Sequence, residues 1–326
     1  MRAGAFIPQG WRLDLAGIPR QDHWQTMLTV SSKAEAAGYE SIWVYDHFHT
    51  VPVATQEPTY EAWTLMAALA ASTDRVRLGQ MCTSNSYRPP AYLAKVAASV
   101  DVISGGRLEM GIGAGWYEKE YLGYGYEFPR PSVRIGQLAE GVEIMQRMWT
   151  EDEVYFDGKH YQLRGAICQP KPVQKPHIPF WVAGGGEQLT LRVAAEYASY
   201  TNFGGGSLEE FSHKSEVFAR HCREVGRDLD SIVRSVNFNV VCAPDEKAVA
   251  ERLDWIEAHH ARLVEPERAA RSRRNFDAMS GTPEQLVEKL RPWVAAGLGY
   301  AIFYFSEAAY DQTGLELLAR EVLPAL

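Results

Sequence analysis

Short apolar runs of strand length alternate along the chain with longer segments whose apolar residues recur every three to four positions. Gly4-Ala5-Phe6-Ile7-Pro8 is the first strand-like run, followed by residues 41–45, 76–82 and 107–113. Residues 180–183, 199–203, 232–242 and 300–305 bring the count to eight. Helical spacing fills the intervals at 24–37, 62–72, 91–103, 134–149, 188–197 and 208–225. Met27, Leu28, Ser31 and Ala34 share one helix face that closes at Gly38, a residue suited to the left-handed C′ position. Ile135, Leu138, Val142, Met145 and Met148 form a second stripe. Residues 246–295 hold two or three helices, one opening at Thr282-Pro283-Glu284, and residues 314–323 form the last. Residues 151–178 depart from the rhythm. There Val154 to Tyr161 reads as a small hairpin turning at Asp157-Gly158, an insertion and not a domain.

Eight β/α units without a linker or repeat predict one α/β domain over residues 1–326, a (β/α)8 TIM barrel with insertions. A doubly wound open sheet is the alternative, and it usually needs fewer strands or a domain break. In a barrel the chemistry gathers at strand C-terminal ends and the loops that follow. Those positions are Gln9 to Trp11, then Asp46-His47-Phe48-His49, then Cys82 to Arg88 with Ser84. Later strand ends offer Gly113 to Glu120, the turn Gly184-Gly185-Gly186-Glu187, and Asn202 with Gly204-Gly205-Gly206.

His47 is suited to general acid or base work, with Asp46 to orient it or to meet a cofactor ring. The plainer alternative is a histidine satisfied by nearby backbone. His47-Phe48-His49 also matches an H-x-H metal pair, but such sites need further ligands from later strands. Those strands end in glycines, Asn202 and Ser306-Glu307, so no metal is expected. A glycine cluster opening a helix suits a phosphate, because the backbone approaches closely and free N–H groups point outward. Gly184 to Glu187 fits that description, although a simple turn has the same composition. Gly111-Ile112-Gly113-Ala114-Gly115 lacks dinucleotide spacing and follows a fourth strand, so it reads as a strand end against which something flat packs.

Composition narrows the classes further. The net charge is −8 and basic residues line no face, the group from Arg268 to Arg274 reading as a solvated helix, so nucleic acid is not an expected partner. No apolar run reaches the ~20 residues of a membrane span, and the start resembles no signal or transit peptide. The four cysteines lie far apart, as in a reduced, cytoplasmic protein.

Several motifs together resemble the luciferase-like monooxygenase superfamily. They include Trp43-Val44-Tyr45-Asp46-His47-Phe48, Glu61-Ala62-Trp63-Thr64, Arg77-Leu78-Gly79-Gln80 and Tyr87-Arg88-Pro89-Pro90-Ala91. Asp101-Val102-Ile103-Ser104-Gly105-Gly106-Arg107-Leu108, Gly111 to Tyr117, Gln169-Pro170-Lys171-Pro172 and Gly281-Thr282-Pro283-Glu284 extend the resemblance across nearly the whole chain. The wording is most similar to the branch that uses deazaflavin coenzyme F420, with FMN as the alternative cofactor.

The resemblance implies hydride exchange between F420 and a small organic molecule. It implies that Asp46 contacts the deazaflavin and that His47 serves as proton donor or active-site acid. It also implies a non-prolyl cis peptide at Met81-Cys82 behind the ring. Ser84, Gly115, Trp116 and the turn Gly184, Gly185, Gly186, Glu187 would line ring, ribityl chain and phosphate. Sugar-phosphate dehydrogenases of this branch carry a glutamate where this chain has Trp116. That departure argues for an apolar or aromatic substrate, with Trp11, Phe48, Tyr60, Tyr87 and Trp116 as candidate wall. An FMN enzyme would instead use O2 and a partner flavin reductase. A homodimer is expected from the resemblance, and His49 receives no role.

Overall fold

A computed structural model describes residues 1–326. In chain order its elements begin β1 (Arg2–Phe6), α1 (His23–Ala37), β2 (Ser41–Val44), α2 (Ala62–Ser72), β3 (Arg77–Gln80) and β4 (Thr83–Ser84). They continue with α3 (Pro90–Ile103), β5 (Leu108–Gly113), α4 (Glu118–Gly123), α5 (Pro131–Thr150), β6 (Val154–Asp157) and β7 (Gln162–Ala166). Then come β8 (Phe180–Ala183), α6 (Thr190–Tyr197), β9 (Tyr200–Asn202), α7 (Leu208–Val225), β10 (Val233–Asn239) and β11 (Val241–Cys242). The last are α8 (Glu246–His260), α9 (Pro266–Asp277), β12 (Ser280–Gly281), α10 (Pro283–Ala295), β13 (Tyr300–Tyr304) and α11 (Thr313–Leu317).

Eight parallel strands (β1, β2, β3 with its continuation β4, β5, β8, β9, β10 and β13) form the closed barrel of a (β/α)8 fold, not an open sheet. The pairing of β3 with β5 closes the ring. Every residue of β5 and β13 is buried, without polar alternation, as strands covered on both faces require. No helix is long and apolar enough to cross a membrane.

Contacts divide the chain into two units, residues 1–61 with 235–326, and residues 62–234. In the first, β1 pairs with β2 (Phe6 opposite Trp43) and with β13 (Ala5 opposite Phe303), and β10 pairs with β13 (Asn239 opposite Tyr304). α10 begins with the expected cap: Gln285 N donates to Thr282 Oγ1 and Thr282 N to Gln285 Oε1. In the second, β3 pairs with β5, β4 places Ser84 opposite Gly113, β5 pairs with β8, and β8 pairs with β9. Arg107 gathers the carbonyls of Ala70, Thr73 and Val76 at 2.7–2.8 Å, tying the end of α2 to the start of β5. Asp101 accepts the backbone N–H of Val173 at 2.8 Å. The motif from Asp101 to Arg107 therefore has a structural task at the base of the strands.

Four details differ from the sequence reading. The third strand stops at Gln80, and the peptide between Met81 and Cys82 is cis, as the family resemblance implies. The return strand of the hairpin lies beyond Tyr161, because Glu140 on α5 accepts the backbone N–H groups of Lys159, His160 and Tyr161 at 2.8–3.0 Å and shapes a longer loop. The helix after the glycine turn starts at Thr190, two residues later than expected. The final helix runs only to Leu317 before a π-helical turn, Leu318–Val322.

Candidate active site

In the first unit the ends of β1 and β2 meet as a column of rings. Phe6 stacks on Tyr45 (4.2 Å, 8° between planes), Trp11 tilts against Tyr45 (4.2 Å, 49°), and His47 lies flat on Trp11 (4.2 Å, 2°). Asp46 is buried, whereas His47, Phe48 and His49 are half-buried. The loop that carries Trp11 is tightly built. Gly10 takes φ +95°, and a Cβ there would fall 1.9 Å from the Pro58 carbonyl oxygen. Leu13, fully buried, holds φ +63°, which L side chains rarely adopt. Asp14 accepts the backbone N–H groups of Gly10 at 2.6 Å and Gln9 at 3.3 Å. Gln9 in turn clamps the second strand end, its amide donating to the Tyr45 carbonyl at 2.7 Å and its oxygen accepting from Tyr45 N at 2.7 Å.

Beside the column lies a charge pair of half-buried Arg12 and buried Asp14. Arg12 donates to Asn239 Oδ1 at 2.6 Å and stands 4.0 Å above the Tyr304 ring. Burial pushes Asp14 up from its ordinary pKa, against the opposing hydrogen bond from Gly10 and the charge of Arg12. Burial also raises Tyr45 and Tyr304 above the ordinary phenol value, against the nearby charge of Arg12. Arg12, Asp14 and Tyr304 were not among the residues the sequence singled out; their partners lie more than 200 positions apart and no local pattern marks them.

In the second unit the cis peptide, Gly113 and Gly115 leave backbone where side chains would stand. A Cβ on Gly113 would lie 2.7 Å from Cys82 Sγ. One on Gly115 (φ +77°) would lie 1.8 Å from Tyr121 Oη and 2.8 Å from Ser84 Oγ, two groups that hydrogen-bond each other at 3.0 Å. Tyr87 donates to the fully buried Glu120 at 2.8 Å, so its hydroxyl is already engaged. Trp116 is 61% exposed and stacks on Tyr117 at 5.1 Å; Leu122, in α4, and Tyr124, at its end, are also exposed.

The glycine turn has a cation beside it. Gly184 takes φ +124°, and a Cβ on Gly185 would come within 2.5 Å of Lys214 Nζ. Lys214, on α7, is mostly buried and pairs with Glu210. Glu187 faces the same helix, its carboxylate 2.9 Å from His213 Nε2 and its backbone carbonyl accepting from His221 Nε2 at 2.7 Å. Nowhere do three or more His, Cys, Asp or Glu side chains gather as a metal ligand set.

Within the second unit the residues fit a phosphate-bearing cofactor on two observations. Three consecutive glycines form the turn ahead of α6, and the mostly buried Lys214 adjoins it.

The profile of the luciferase-like monooxygenase family matches residues 1–299. An F420-dependent glucose-6-phosphate dehydrogenase of Nocardia farcinica is 29% identical, over 92% of this chain and 93% of its own length. One from Mycolicibacterium fortuitum is 30% identical, over 90% of this chain and 91% of its own. Among solved structures, an F420-dependent secondary alcohol dehydrogenase in complex with an F420-acetone adduct superposes with TM-score 0.80 at 22% identity, covering 99% and 98% of the two chains. Monooxygenase RslO1 from Streptomyces bottropensis superposes with TM-score 0.81 at 20% identity, covering 99% of each chain.

Proposed function

The chain belongs to the luciferase-like monooxygenase family and is an F420- or flavin-dependent oxidoreductase, and we propose that F420 is its cofactor and an apolar or aromatic organic molecule its substrate. The observation that carries the cofactor choice is the F420 dependence of relatives that match at least 90% of the chain. Bound F420 supplies a two-electron hydride carrier at carbon. Asp46, buried at the end of β2, contacts the cofactor ring. His47 holds the proton that neutralises charge on the substrate during reduction, or takes it during oxidation. The backbone N–H groups of Gly184 to Gly186 receive the phosphate, and Lys214 supplies the opposing charge. Ser84, Cys82 and Gly115 form the floor under the ring.

The substrate class rests on the rim. Trp116, Leu122 and Tyr124 present exposed apolar surface after β5, which favours a hydrophobic partner over a sugar phosphate. A panel of glucose 6-phosphate, aryl ketones and the corresponding alcohols, followed by the change in F420 absorbance, tests this. Turnover of the aryl compounds alone agrees with the proposal; turnover of glucose 6-phosphate alone refutes it. A flavin-dependent monooxygenase, served by a separate reductase, is the second reading, supported by the luciferase-like monooxygenase profile that matches residues 1–299.

A further inference from the structure

We propose that Trp11 is a positioning residue for His47, setting the plane of its imidazole through a coplanar stack. This inference rests on the reading of His47 as the acid. The final torsion of a histidine side chain is broad and roughly two-fold, so its rotamer alone does not fix where the two ring nitrogens point. A flat neighbour narrows that torsion to the orientations that keep the ring in one plane, and the Trp11 indole lies against it at 4.2 Å and 2°.

Trp11 is itself held from three directions. Its carbonyl oxygen accepts from Val51 N at 2.8 Å, which ties the loop after β1 to the loop after β2. Its ring leans on Tyr45, which stacks on Phe6. Its neighbours Gly10 and Leu13 both hold positive φ, and Asp14 closes the turn onto Gly10 N. A buried leucine in the left-handed region is an unfavourable choice that persists only where the surroundings over-determine it, and such residues cluster at functional sites. The loop from Gln9 to Asp14 is thus a rigid mount, and the ring that it presents ends on His47.

Histidine-selective NMR on the full chain, with His47 resonances assigned by His47→Ala, reads the stack without any cofactor. The indole ring current moves the His47 carbon-bound ring protons upfield in the native chain and not in Trp11→Leu. With F420 bound, Trp11→Leu lowers kcat about ten- to a hundredfold, since small misplacement of a catalytic group has effects of this size. F420 affinity stays within about twofold, because the stack orients the acid and does not hold the cofactor. Trp11→Phe keeps a flat face and restores most of kcat. The proposal is overturned if Trp11→Leu retains native kcat, if the His47 protons stay unshifted, or if Trp11→Phe is as slow as Trp11→Leu. Native turnover in His47→Ala would instead remove the acid role, while the NMR shift would still report the stack.

Discussion

Replacing Gly115 with alanine separates two reasons why a glycine stands at the end of β5. Its backbone sits at φ +77°, and a Cβ would overlap Tyr121 Oη at 1.8 Å and crowd Ser84 Oγ at 2.8 Å. Gly17 offers the matching control, with φ +89° and no atom within 4 Å of a built Cβ. Gly17→Ala should therefore show the backbone effect alone, about 1–2 kcal/mol. Gly115→Ala carries the same effect plus overpacking, which adds about 1–3 kcal/mol in a well-filled interior. Tyr121 is wholly buried, with Tyr87 at 4.9 Å and Phe128 at 4.9 Å, so its ring has little room to retreat. Together the two parts come to about 2–5 kcal/mol, the sum of the preceding ranges. Denaturant unfolding of both variants gives the numbers directly, provided the slopes match the native chain. The double variant Gly115→Ala/Tyr121→Phe removes the nearest atom and should recover part of the overpacking share only. A Gly115→Ala chain no less stable than Gly17→Ala would refute the crowding argument.

Three further outcomes follow from the same geometry. His47→Ala should lower kcat by about 10²–10⁴-fold, the usual contribution of a positioned acid, with F420 affinity nearly unchanged in a fluorescence titration; native turnover would exclude the acid role. Lys214→Ala should weaken F420 binding about ten- to a hundredfold, as expected when a charge-assisted hydrogen bond to phosphate is lost, and should flatten the salt dependence of Kd. Identical affinities would remove Lys214 from the phosphate site. His260 is pushed down to about 4 from 6.5, chiefly by burial and then by the neighbouring His259 and Arg12. A depressed folded-state value favours the neutral ring, so its stabilising share is present above about pH 6.5 and disappears as pH falls toward 4. That difference of about 2.5 units corresponds to about 3 kcal/mol. His260→Gln should flatten the stability profile across this interval, and an unchanged profile would contradict the assignment.

The barrel was legible because each strand and its helix announce themselves through local periodicity, and eight such pairs permit few architectures. The glycine turn and the Asp46-His47 loop could be placed at strand ends by the same logic, and the cis peptide at Met81-Cys82 followed from the family resemblance. Other features are written in contacts that no window along the chain contains. Tyr304 reaches Asp14 across 290 positions, and Arg12 reaches Asn239 across 227. Leu13 gives no sign in the sequence of its positive φ, because nothing but the closure of the loop by Asp14 and Gln9 demands it. The hairpin was misplaced for a similar reason. Asp157-Gly158 is a good local turn, but Glu140 from α5 holds three consecutive N–H groups beyond it and moves the reversal along. Lys214 was missed because a lysine on an amphipathic helix looks solvated until the turn containing Gly185 is seen against it.

The choice of cofactor is the central claim, and side-by-side fluorescence titration of the purified chain with F420 and with FMN tests it most directly. Saturable quenching by F420 at micromolar or lower concentration, with FMN at least tenfold weaker, is the predicted result. Tight FMN binding without F420 binding would contradict it and leave the flavin-dependent reading in its place.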